Sequence, residues 1–252
     1  MLKGRESIRP SGDWLVEHTR FTAFGLPGKL PASPEFFEAV FGFPHDSEMR
    51  KKAELTTEFS GVAGGVIHKL TLVGPKLDLM IAPAAPDEMP TGMPTLPDKA
   101  KARTLAMRAA LRIVGEDMSI FRVAVGERFV LPVESVEAGY LGLGYFLPSV
   151  EIDPVGSRDF FYRINRTREV MIADSSLAVN RLSSWGCMSM NIHVASGEVS
   201  AVGLLVNYVS VLTDVNTKPE ADFKSLNVAA RQDLIARLFA FSEELAEKGD
   251  VS

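Results

Sequence analysis

This sequence is poor in the residues that most simple chemistries require. It has one cysteine, Cys187, so it can form neither an intramolecular disulfide nor a multi-cysteine metal site, which fits a reducing cytoplasm. Its four histidines, His18, His45, His68 and His193, show no His-x-x-x-His spacing and no partner cysteines, and no metal or cofactor is expected. No apolar run approaches the ~18–20 residues of a spanning helix, and MLKGRESIRPSGDW lacks the apolar core of a secretory signal. A soluble, cytoplasmic, bacterial-type protein without membrane contact is the expectation. Basic excess is missing too: the formal charge of −5 argues against a dedicated non-specific DNA binder.

Catalytic signatures are equally scarce. There is no Gly-x-Ser-x-Gly elbow and no protease or kinase set. Ser60-Gly61-Val62-Ala63-Gly64-Gly65 is glycine-rich but lacks the Lys-Ser/Thr of a phosphate loop, and it reads as a bulge or bend in a long strand. The spacing of Glu134 and Glu137, of Asp153 and Asp159, and of Asp214 selects no acid–base pair. Cys187, entering an apolar strand, reads as a small core residue rather than a nucleophile. His68 shares the apolar side of its strand with Val66, Leu70 and Leu72 and reads as a hydrogen-bonded core histidine, while His193 reads as a solvated sheet residue.

What is present is material for a core: 252 residues, 46% hydrophobic and 23% charged. Residues 1–12 read as a mobile leader and Trp14–Phe24 as a first strand. Ser33-Pro34-Glu35 starts a short helix that Gly42 ends. Residues 66–73 alternate, turn at Gly74-Pro75-Lys76 and return through Leu77, Leu79 and Ile81 as a hairpin. The Pro/Met-rich stretch 83–97 is a long loop, and Asp98 caps a helix over 99–114. From 120 to 211 strands follow almost without interruption, one of them over 139–147, and a final helix runs over 228–247. Asn207, among Leu205, Val209 and Val211, is an amide that burial would oblige to find partners.

Strands joined by short turns point to an α+β fold, a largely antiparallel sheet with a few packed helices. The expected organisation is the leader 1–12, an N-terminal α+β half over 13–115 and a strand-rich C-terminal half over 116–252. Both halves run strands and then a helix (14–114 and 120–247), which suggests two similar βα units.

The nearest thing to a site signature lies within 160–185, where Ile164-Asn165-Arg166 and Val179-Asn180-Arg181 each place an amide beside a forked cation on a strand. Arg163, Asn165, Arg166, Arg168, Asn180, Arg181 and Trp185 are therefore the candidate binding residues, suited to an anionic ligand, a single nucleic-acid strand or a protein. Asp153, Asp159, Glu169 and Asp174 lie among the arginines and offer cross-strand ion pairing as the competing role.

Tyr162-Arg163-Ile164-Asn165-Arg166, Leu177 to Leu182 and Leu212-Thr213-Asp214-Val215-Asn216-Thr217 resemble phrases of a sporadically distributed bacterial protein family of unknown function, over about a third of the chain. The resemblance implies a strand-rich protein ending in a helix and an accessory or defence-associated setting; it supplies no catalytic residue. The expected function is thus an interaction or ligand-binding protein rather than an enzyme, with a protein partner ahead of nucleic acid or a small anion, and with self-association open. The alternatives are a hydrolase of an anionic substrate, with arginines as clamps, and a subunit of a larger assembly docked through 83–97.

Overall fold

A computed structural model describes residues 10, 12–26, 30, 32–85, 91–115, 120–196, 199–218 and 223–250, with the side chains of 192–204 and 224 outside the description. Most of the leader 1–12 and part of the loop 83–97 fall outside it, as does the side chain of His193.

The first half contains β1 (Leu15–Gly25), α1 (Pro34–Phe41), β2 (Ser47–Lys51), β3 (Thr56–Ala63), β4 (Val66–Val73), β5 (Lys76–Pro83) and α2 (Lys99–Gly115). The second contains β6 (Ile120–Val133), α3 (Val136–Phe146), β7 (Phe161–Ile172), β8 (Ser175–Ser196), β9 (Val199–Thr217) and α4 (Val228–Lys248). The nine strands form one antiparallel sheet in the order β2-β3-β4-β5-β1-β6-β9-β8-β7, and with the packed helices the fold is α+β.

Each half runs strand, helix, antiparallel meander, helix, and in each the first strand lies beside the last strand of its meander. The halves meet where β1 pairs with β6, so the sheet crosses the 115/116 boundary without a break. Only the first half carries an extra outer strand, β2, among the described residues.

Helix starts follow the capping chemistry of the sequence. Ser33 Oγ accepts from Phe36 N (3.2 Å), Asp98 Oδ1 from Lys101 N (2.9 Å) and Asn227 Oδ1 from Ala230 N (2.9 Å). The expected strand over 139–147 is instead helix α3, capped by Ser135 Oγ on Ala138 N (3.1 Å). Its glycines and aromatics weaken helix propensity, but they serve packing. A Cβ on Gly139 would sit 2.5 Å from Cys187 Sγ, while Tyr140, Leu143 and Phe146 bury as a stripe on the sheet. The glycine-rich stretch ending at Gly65 is likewise no bulge: Gly64 and Gly65, at φ 61° and 75°, form the two-residue turn between β3 and β4.

Strand alternation gives the sheet one covered face. Phe21, Phe59, Leu70, Leu79, Phe129 and Val211 bury there beneath the helices, and Trp185 stacks on Phe146 of α3 with ring centres 5.5 Å apart. The alternate residues point to the other, open face. Among the described residues no helix is long and apolar enough to cross a membrane.

Candidate functional site

The two Asn-Arg triplets are cross-strand neighbours. In the β7–β8 ladder Arg166 stands opposite Arg181, Thr167 opposite Asn180 and Asn165 opposite Leu182. Because successive side chains on a strand point to opposite faces, each asparagine is parted from its own arginine. Arg163, Asn165 and Asn180 belong to the open face; Arg166, Arg168, Arg181 and Trp185 belong to the helix face.

On the helix face the arginines hold the C-terminal helix. Arg166 donates from Nε and Nη2 to the two oxygens of Asp250 (2.7 and 3.1 Å), which Tyr162 Oη also reaches at 2.9 Å. Hydrogen bonding to Asp250 raises the Arg166 pKa. Arg181 and Arg168 approach Glu244 Oε2 at 3.5 and 3.8 Å, and both guanidiniums lie over the Phe241 ring. Burial pushes the Arg181 pKa down, opposed by Glu244. Trp185 is fully buried.

On the open face an amide chain crosses three strands. Asn165 Nδ2 donates to Asn180 Oδ1 (3.1 Å), Asn180 Nδ2 to Asn216 Oδ1 (3.1 Å) and Asn216 Nδ2 to Asp214 Oδ1 (2.9 Å). Arg122 Nη2 joins at Asn216 Oδ1 (3.0 Å) and lies over Phe24. Beside this chain is a basin of about 430 Å³, floored by Leu182, Ser184, Gly186, Met188 and Leu212 and edged by Phe161, Arg128 and Arg163. Arg128 is shared with Glu17 at 3.3 Å, whereas Arg163 has no hydrogen-bond or ion-pair partner among the described residues. The site thus presents two forked cations and one carboxylate, Asp214, which is already engaged by Asn216, around a largely apolar floor, an arrangement suited to a carboxylate or phosphate that carries an apolar body.

The remaining candidates have local duties. Asp153 Oδ1 accepts from Val155 N in a turn, and Glu137 lies in the first turn of α3. His68 is 4% exposed between the rings of Phe41 and Phe43, and burial lowers its pKa. The Cys187 thiol is pushed up to about 11, chiefly by burial, which removes the thiolate character a nucleophile requires. Asn207 Oδ1 accepts from Ser189 Oγ at 2.7 Å. In the loop 83–97, Met93 N donates to Tyr208 Oη (2.8 Å) and Leu96 N to Val16 O (2.7 Å). Among the described residues no group of three His, Cys, Asp or Glu could hold a metal.

One charged group escaped the sequence reading. Glu127 is fully buried, accepts from Thr19 Oγ1 (3.2 Å) and faces Arg103 Nε of α2 (3.2 Å). Arg103 reaches on to Glu243 and to the Phe239 carbonyl of α4. Burial raises the Glu127 pKa against the pull of Arg103. The signal was legible as one acid on the face Val123, Val125, Phe129, Leu131 of β6.

No protein-family model, curated protein or solved structure matches this chain.

Proposed function

We propose that this chain is a non-catalytic binding protein that takes up an acidic segment of a protein partner on the open face of its sheet. The observation that carries the reading is the basin between Arg128 and Arg163, where two cations flank Leu182, Met188 and Leu212. Arginine beside a desolvating apolar floor is the usual composition of an interface anchor. An acidic side chain entering there would find fork-shaped donors, and an apolar neighbour would cover the leucines. The hydrolase alternative needs an acid or imidazole beside Asn165 and Asn180; the carboxylate that joins their amide chain, Asp214, does so through Asn216.

The test compares wild-type protein, purified gently from its natural host, with Ser184→Trp, which fills the basin floor. Native mass spectrometry should find an acidic protein companion on the wild type and lose it from the variant. A companion kept by Ser184→Trp, or none on the wild type, overturns the reading. An absorbance ratio typical of nucleic acid, or a small bound mass, would replace the protein partner by that ligand.

A further inference from the structure

β7 closes the sheet on the C-terminal side, and no strand lies on its outer edge among the described residues. In the first half β2 covers the outer side of β3; the matching stretch of the second half, 147–160, forms no strand. Every second residue of the twelve in β7 therefore offers its main-chain N–H and C=O groups along the outer side. Short length or a bulge commonly disarms such an edge. β7 has neither: it pairs with β8 in unbroken register from Phe161 to Ile172.

We infer that a second copy of this chain docks here, β7 against β7, antiparallel about a two-fold axis at Arg166. A strand paired with itself must be complementary to its own sequence read backwards, which few strands are. With Arg166 on the axis, the open face sets Phe161 opposite Met171, Arg163 opposite Glu169 and Asn165 opposite Thr167, each pair occurring twice. Phe161 and Met171 are 68% and 58% exposed in the single chain. Arg163 has no partner there among the described residues, and Glu169 accepts from Ser176 Oγ at 2.9 Å.

Neighbouring registers that keep the helices on one side lose this match. An axis at Asn165 sets Phe161 against Glu169, and one at Thr167 sets Arg163 against Met171. On the helix face Arg166 would meet its own copy, but each is already held bidentately by its own Asp250. Charge normally keeps an edge strand single; here an unpaired cation and its mirror acid select the second copy. Phe161 and Arg163 also edge the basin, so Ser184→Trp, which leaves β7 unaltered, is the variant that separates the basin from the dimer.

Sedimentation equilibrium of the full chain over about 1–100 μM is the measurement, the range in which a modest β-edge dimer dissociates. The wild type should dimerise. Arg163→Glu should weaken the dimer at least tenfold, because the new carboxylate would face Glu169 in both symmetric pairs. The swap Arg163→Glu with Glu169→Arg should restore it. Circular dichroism melting of each variant separates lost association from lost folding; Glu169→Arg alone is the second reporter. A wild type that stays monomeric overturns the inference. So does a dimer indifferent to Arg163→Glu, or a swap that fails to rescue.

Discussion

Replacing Gly249 by alanine should unfasten the end of the chain from the sheet. Gly249 follows α4 with φ 75° and ψ −158°, a conformation essentially confined to glycine that costs another residue about 1–3 kcal/mol. Space is lacking as well, because a Cβ there would lie 2.0 Å from the Phe146 carbonyl oxygen. Relief requires the chain to swing out, breaking the Asp250 N–H bond to that same oxygen (2.9 Å), worth about 0.5–1.5 kcal/mol net. Gly249→Ala should therefore lose about 2–4 kcal/mol, which for a chain of this length lowers Tm by about 4–16 °C. Thermal melting followed by circular dichroism at neutral pH measures it. Since the Asp250 contacts go with the turn, adding Asp250→Ala to Gly249→Ala should cost little more. An unchanged Tm in Gly249→Ala, or fully additive losses in the pair, would refute the reasoning.

Three further outcomes follow from the buried groups. The lowered folded pKa of His68 gives stability that is complete above the unfolded value of 6.5 and lost as pH falls below it. His68→Phe should flatten the fall in Tm between about pH 7.5 and pH 5; an undiminished slope would count against the burial argument. Glu127 has the opposite sign: its folded pKa is raised above 4.5, so its contribution is present below that value and lost as pH rises through the folded pKa. The Tm of Glu127→Gln relative to wild type should climb from about pH 4 to pH 8, and a flat difference would mean that Arg103 compensates the charge fully. For Cys187, a thiol pKa of about 11 against 9.0 lowers the thiolate fraction about 100-fold near neutrality. Reaction with a disulfide reagent should be slower by at least that factor in the folded chain than in urea, and comparable rates would sink the assignment.

Much of the fold was legible because local chemistry and tertiary position agree. The β4–β5 hairpin shows in its alternation and in Gly74-Pro75, and α1, α2 and α4 in their Ser33, Asp98 and Asn227 caps. What escaped lacks a local signal or carries a contrary one. β2 has every residue exposed and so no apolar period, and α3 has glycines where β8 and Pro10 come close. β7 and β8 are longer than any single apolar run, so the sequence reads as separate strands over 159–165 and 170–173 and over 177–182 and 188–194. The candidate site fared similarly. The Asn-Arg triplets are on strands, as their setting predicts, yet that same placement sends asparagine and arginine to opposite faces.

That division explains the density of arginine near 163–181. α4 has no disulfide or metal tether to the sheet among the described residues, and it packs through Ala230, Leu234, Ile235, Leu238, Phe239, Ser242 and Leu245. The contacts that complete its seat are ionic and fall in its last turns and just beyond. Arg103 reaches Glu243, Arg168 and Arg181 reach Glu244, and Arg166 reaches Asp250. Three of these four arginines come from the β7–β8 pair, so the cluster orients a helix. The carboxylates Asp159, Glu169 and Asp174, which the sequence places beside those arginines, are not the ones that receive them. The cations that no helix acid reaches are Arg163 at the edge, Arg128 beside the basin and Arg122 at the end of the amide chain. The proposed partner on the open face would meet these three while α4 remains seated behind the sheet.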